Sequence, residues 1–247
     1  MSGLDDAVRA VAATPRLLVA LDFDGVLAPI VDVPSVARPL PASAATVGAL
    51  ATLADTTVAV VSGRGLADLA AVSGFGSPIQ LVGSHGGEFD GGAVLDEAQR
   101  TLLDQLTTEL RALVDGVPGV TLEDKPTGIA VHVRGAEPTI ATRVLDAVRT
   151  GPAARPGVEA TPGKAVLDLT VLQVNKGVAL DVLRERFGAD AVFFVGDDVT
   201  DETAFARLRS GDVGVKVGEG VTAATYRVAD PAEVTTLLAA LLAARCP

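Results

Sequence analysis

Four short stretches of this sequence carry residues whose type and spacing could do chemistry. The first is Asp22-Phe23-Asp24-Gly25, at the end of the apolar run Leu17-Leu18-Val19-Ala20-Leu21. In open α/β sheets, sites form beyond the carboxyl ends of strands. Two carboxylates two residues apart would share one face if the strand continued, but a turn at Gly25 lets them diverge. One can then act as nucleophile and metal ligand and the other as proton donor. The competing reading is a solvated turn, which Asp and Gly both favour. The second stretch is Val60-Val61-Ser62-Gly63-Arg64. Its hydroxyl, exposed amides and guanidinium could together hold a phosphate, while Ser62 alone could simply cap the next helix. The third, Asn175-Lys176-Gly177, sets a lysine at a helix start, a point charge able to meet a phosphate and a nearby carboxylate; most such lysines are merely solvated. The fourth, Gly196-Asp197-Asp198-Val199-Thr200-Asp201-Glu202, gathers four acids after the apolar run 191–195. They repel one another unless a cation neutralises some of them, and oxygen donors without cysteine indicate Mg²⁺. Acidic capping of the next helix is compatible with that role.

These stretches need strands and helices to bring them together. Apolar strands are expected at Leu17–Phe23, Thr57–Val61, Ile79–Val82, Ala191–Val195 and Asp212–Val217. Helical patterns are expected at Ala44–Leu53, Leu66–Val72, Gly177–Phe187, Asp201–Leu208 and from Pro231 onward. Buried strands alternating with helices imply a parallel sheet covered on both faces. The middle differs. Leu95–Val114 is a long helical stretch with Leu102, Leu106, Leu110 and Leu113 on one face. Ile129, Val131 and Val133 then alternate with Ala130, His132 and Arg134, the pattern of a sheet with one buried face. A helix over Ala136–Val148 and a strand over Lys164–Leu169 come next. Residues 95–170 therefore read as an α+β insertion in an α/β domain made of 1–94 and 171–247.

The 247 residues suffice for a full core, and the formal net charge of −11 disfavours nucleic acid and anionic membranes as partners. An anionic substrate must then be captured by local donors or a metal ion. The single cysteine, Cys246, allows neither an intrachain disulfide nor a cysteine zinc site, and two histidines do not suggest a histidine metal site. Leu17–Leu21 is too short for a membrane span. A cytoplasmic monomer is expected.

Taken together and in order, the four stretches resemble the haloacid dehalogenase (HAD) superfamily of aspartyl-phosphate phosphatases. That resemblance implies a Rossmann-like three-layer α/β core with an inserted α+β cap. It makes Asp22 the nucleophile and Asp24 the acid and base, with Ser62 and Lys176 holding phosphoryl oxygens. It implies Mg²⁺ bound by Asp22, the Asp24 carbonyl and Asp197, with Asp201 in support. Within the superfamily, Asp24-Gly-Val-Leu-Ala-Pro-Ile30, Gly83-Ser-His-Gly86 with Glu88, Glu123-Asp-Lys-Pro126 with Arg134, and the stretch 196–202 look like trehalose-6-phosphate phosphatases. The resemblance implies a small-molecule sugar phosphate as partner, contacted by Arg64, His85, Glu123, Lys125, Arg134 and Asp168, and cap closure by hinges near 93–95 and 170–173. Val26 stands where the family commonly has Thr, and Asp168-Leu-Thr-Val171 replaces the usual Glu-x-Arg-Pro. Three readings are open: hydrolysis of trehalose 6-phosphate, hydrolysis of another phosphorylated disaccharide or pseudo-sugar, or a catalytically silent sensor.

Overall fold

The structure is a computed structural model that describes residues 2–89, 95, 97–125, 127–163, 165–172 and 175–246. In chain order its regular elements are α1 (Ser2–Ala12), β1 (Leu17–Leu21), α2 (Pro41–Ala51), β2 (Thr56–Val61), α3 (Leu66–Ser73), β3 (Gln80–Gly83), β4 (Glu88–Phe89), α4 (Glu97–Val114), β5 (Thr121–Lys125), β6 (Gly128–His132), α5 (Pro138–Thr150), β7 (Glu159–Gly163), β8 (Val166–Thr170), α6 (Lys176–Phe187), β9 (Ala191–Gly196), α7 (Glu202–Phe205), β10 (Val213–Val217), β11 (Tyr226–Val228) and α8 (Pro231–Arg245). The chain forms two compact units: Met1–Gly92 with Val174–Pro247, and Ala93–Gln173. Residues 93, 94 and 173, where hinges were expected, and Lys164 and Pro126 lie outside the described residues.

The first unit is built on a seven-stranded sheet of order β11-β10-β9-β1-β2-β3-β4, parallel except for the final antiparallel strand β4. All five residues of β1 are buried, which is why its sequence is a continuous apolar run rather than an alternating one. Leu17, Val19 and Leu21 face a core filled by Val8 and Val11 of α1, Val47 and Leu50 of α2, and Leu238 and Leu241 of α8. Leu18 and Ala20 face the opposite way, toward Leu180 and Leu183 of α6 and Phe205 of α7. Each fully buried Leu or Phe contributes about 1.5–3 kcal/mol. The register aligns Leu21 with Val60 of β2 on one side and Val195 of β9 on the other. The segments beyond these three neighbouring strands therefore emerge together at one edge of the sheet.

The second unit has a four-stranded antiparallel sheet, β5-β6-β8-β7. Ile129, Val131, Leu167 and Leu169 pack one face against Leu106 and Leu110 of α4 and Val144 and Val148 of α5. The register puts Glu123, Ala130 and Asp168 in one row, with Lys125 beside Gly128. By the two-residue alternation of strands, this row lies on the face away from that core.

The structure departs from the expected elements in identifiable ways. β1 ends at Leu21, so Asp22 and Phe23 leave the strand. The helix expected over 201–208 is a 3₁₀ turn, Val199–Asp201, followed by one short α-helix. The strands β5 and β7 lack an apolar period because both are edge strands with mostly exposed residues. Pro162 in β7 fits that edge position.

Candidate active site

The sheet edge brings the candidate residues together. Just past β1 the Asp22 amide donates to the Val195 carbonyl at 3.0 Å, and just past β2 the Ser62 amide donates to the Val82 carbonyl at 2.9 Å. Lys176 is fixed from the other direction. Asn175 caps α6 by accepting the Val178 amide at 2.9 Å, which sets Lys176 in the first turn. Its buried ammonium lies 2.8 Å from Asp22 Oδ2 and 2.8 Å from Asp201 Oδ1. The other Asp22 oxygen accepts the Phe23 amide at 2.6 Å. Asp201, with no solvent exposure, uses Oδ2 to accept the amides of Asp197 and Asp198, each at 2.9 Å. Asp198 in turn caps the 3₁₀ turn, so capping and site-building coexist in this acidic loop.

Burial pushes the Asp22 carboxyl well above its usual range, and Lys176 opposes that shift while Asp201 adds to it. Asp197 is also raised, by burial first and then by Asp201. For Lys176, burial acts downward but is outweighed by Asp22 and Asp201, leaving the net shift upward. Carboxylate oxygens of Asp22, Asp197 and Asp201 all lie within 4.8 Å of one another. One lysine among three carboxylates leaves net negative charge, and an all-oxygen set fits a hard divalent cation. Gly25 closes the turn with φ of 77°, and a Cβ there would collide with the Asp197 carboxylate. The glycine is what lets the loop after β1 approach the loop after β9.

Asp24 is not part of that carboxylate group. Both its side-chain oxygens are gripped by Arg64, Nε to Oδ2 at 2.7 Å and Nη2 to Oδ1 at 2.8 Å. Ser62 is buried and is not the cap of α3, whose cap residue is Gly65. Its Oγ accepts the Arg64 amide at 3.2 Å. His85 has φ of 57° beside Ser84 at 50°, adjacent left-handed residues of the kind that cluster at functional sites. Its amide donates to the Ser62 carbonyl at 2.9 Å, and its ring stacks where Gly63 has no Cβ. The buried His85 Nδ1 has no hydrogen-bond partner among the described residues. Asp22, Asp24, Ser62, Arg64, His85, Lys176 and Asp197 all line one cleft of about 630 Å³.

Residues 20–232 match the trehalose-phosphatase family. The chain belongs to that family. It is 35% identical over 95% of its length to the trehalose-phosphate phosphatase of Mycobacterium ulcerans, and 34% identical over 95% to that of Mycobacterium leprae. It spans 65% and 61% of the lengths of those relatives. Among solved structures, trehalose-6-phosphate phosphatase of Aspergillus fumigatus superposes with a TM-score of 0.63 at 25% identity, covering 97% of each chain.

The other family-implied residues lie in the second unit. Glu123 and Lys125 are exposed on β5, and Asp168 is half-exposed on β8. Lys125 pairs with Asp168, whose hydrogen bond raises the lysine above its usual range. Glu123 lies 2.8 Å from His132 Nε2. Arg134 is exposed beyond the end of β6. No helix among the described residues is long and apolar enough to cross a membrane.

Sequence reasoning passed over two residues at the site. Lys216 is buried in β10 and donates to the Asp197 carbonyl, 3.9 Å from Glu202 Oε1. A lysine inside the apolar strand Val213–Val217 was the available signal, since buried lysines are rare unless paired. Asp68 lies 2.8 Å from Arg64 Nη1, and no motif marks it. Glu88, which the resemblance had grouped with the turn at 83–86, accepts the Leu66 amide at 3.1 Å and bonds Ser84. The Ser84 bond is the first cause holding its carboxyl below the usual range.

Proposed function

We propose that this chain hydrolyses trehalose 6-phosphate to trehalose and phosphate through an aspartyl-phosphate intermediate. The observation that carries the reading is the buried Asp22–Lys176–Asp201 arrangement at the carboxyl edge of the sheet, in a chain of this family. Phosphoryl transfer is chiefly positioning and charge neutralisation, and a carboxylate held beside a buried ammonium suits both. Asp22 attacks phosphorus, forming an Oδ–P bond as the P–O bond to the sugar breaks. Asp24 gives its proton to the departing sugar oxygen. It then takes a proton from water as the water oxygen displaces Asp22. Ser62 and Lys176 hold the phosphoryl oxygens, and His85 lines the approach. Mg²⁺, held by Asp22, the Asp24 carbonyl and Asp197 with Asp201 behind them, would neutralise charge on the phosphoryl group.

In the same reading, residues 95–170 form a specificity cap, and Glu123, Lys125, Arg134 and Asp168 contact the sugar. What supports this is the exposed polar face of the four-stranded sheet, where charged donors and acceptors suit a hydroxyl-rich ring. A cytoplasmic monomer completes the proposal. The test is phosphate release from trehalose 6-phosphate, sucrose 6-phosphate and glucose 6-phosphate, with Mg²⁺ and with EDTA. Preference for the trehalose ester and loss of activity in EDTA are expected. Preference for another ester would move the substrate assignment, and no release from any would favour a sensor.

A further inference from the structure

We propose that Arg64 is a positioning residue for Asp24 and not a ligand of the substrate phosphate. The inference rests on the phosphatase reading above. An arginine at the end of a strand, next to a candidate phosphate-binding serine, suggests an anion clamp. The geometry points elsewhere. Four of the guanidinium N–H groups are already committed: two to Asp24, one to Asp68 Oδ2 at 2.8 Å, and one to the Pro34 carbonyl at 2.9 Å. The side chain is only 10% exposed and lies over the Phe23 ring, 5.6 Å from its centroid. One guanidinium shared by two carboxylates carries net negative charge locally, which makes it a poor attractor for a phosphate dianion.

The same contacts suit a different task. The planar fork of arginine matches a carboxylate in two places and so fixes the plane of the Asp24 carboxyl, which a single bond could not do. Each carboxylate oxygen can accept a second hydrogen bond, so the fork leaves Asp24 able to exchange a proton on the side facing the cleft. Asp68 from α3 and the Pro34 carbonyl hold the fork itself. Three separate segments, after β1, after β2 and on α3, thus converge on the orientation of one proton-transfer group.

Because Asp24 protonates the leaving oxygen, a misaligned Asp24 should harm esters with poor leaving groups most. Phenyl phosphate and p-nitrophenyl phosphate are similar in shape and carry no sugar, but phenolate is the poorer leaving group. Their kcat/KM values report the first half of the reaction, in which that oxygen departs. Arg64→Met is expected to lower kcat/KM for phenyl phosphate by about tenfold or more beyond its effect on p-nitrophenyl phosphate, given the usual size of general acid catalysis. Arg64→Lys should recover part of that difference, and Asp68→Asn, with Arg64 retained, should shift the ratio the same way by less. Circular dichroism melts establish that each variant folds. If Arg64→Met fails to fold, the Arg64→Lys and Asp68→Asn ratios decide the matter. Equal losses on both esters with a raised KM would overturn the proposal in favour of direct phosphate contact, and an unchanged ratio with unchanged KM would equally overturn it. Failure of the underlying phosphatase reading looks different: the wild-type chain would hydrolyse neither ester.

Discussion

Asp22 is held between opposed influences. Its carboxyl is buried, pushed upward in pKa by that burial, and held by Lys176 and the Phe23 amide. Asp22→Asn keeps the shape but removes the charge and most of the nucleophilicity. The expected outcome is loss of turnover with the fold intact. Phosphate release alongside a circular dichroism melt checks it, and activity within about tenfold of wild type, ~1.4 kcal/mol of barrier, would exclude Asp22 as nucleophile. Lys176 has a second partner, Asp201 at 2.8 Å, which this substitution leaves in place. Because the desolvation of a buried charge can exceed its pairing gain, metal-free Asp22→Asn should melt no lower than the metal-free parent.

At the scale of elements, the exposed face of β5 and β8 and the cap of α8 make separable predictions. Glu123→Ala or Lys125→Ala should lower kcat/KM on trehalose 6-phosphate by about ten- to a hundredfold, the effect of losing one hydrogen bond to a charged group. The same changes should spare p-nitrophenyl phosphate, which has no sugar to contact. The ratio of the two activities is the measurement, and a parallel fall in both would make these residues structural. Helix α8 tests stability instead. Asp230 caps it by accepting the amides of Ala232 at 2.8 Å and Glu233 at 3.0 Å. Asp230→Ala is expected to cost about 1 kcal/mol of stability without changing the ester preference. Denaturant unfolding and the two kcat/KM values check both halves.

For the whole molecule, the carboxylate cluster links metal, pH and stability. Asp22 and Asp197 both have folded-state pKa values raised above the ordinary 3.8. A raised folded value means that the stability these groups contribute is complete below about pH 4 and is lost as pH rises through their folded-state values. A divalent cation held by these carboxylates would replace the protons over that same window and would bind only the folded cluster. Mg²⁺ should therefore raise Tm little near pH 4 and progressively more toward neutral pH. At a hundredfold excess over Kd the gain is about 2.7 kcal/mol, or roughly 2–4 °C of Tm for each kcal/mol in a chain of this size. Thermal melts with Mg²⁺ and with EDTA across pH 4–8 measure it. A gain that stays constant with pH would show that these carboxylates do not hold the ion.

The sequence by itself determined the parallel core and which residues stand just past its strands. Fully buried strands must be apolar throughout, so Leu17–Leu21 and Ala191–Gly196 are visible as runs, and the residues just past each run are forced to the sheet edge. The places of Asp22, Ser62 and Asp197 at strand ends were therefore legible, whereas Ser62 taken alone read equally as a helix cap and Lys176 as a solvated lysine, and only the four stretches in order singled them out. Edge strands bury little, so β5, β7 and the antiparallel β4 left no period to read. Only the tertiary structure decided the pairings. Arg64 reaches back to Asp24, Asp201 serves Lys176 and two backbone amides at once, and Lys216 crosses from β10 to the Asp197 carbonyl. Such contacts are set by which strands become neighbours and in what register. No local pattern of residue types encodes that, because the free energy of pairing β1 with β9 depends on segments far apart in the chain meeting in three dimensions.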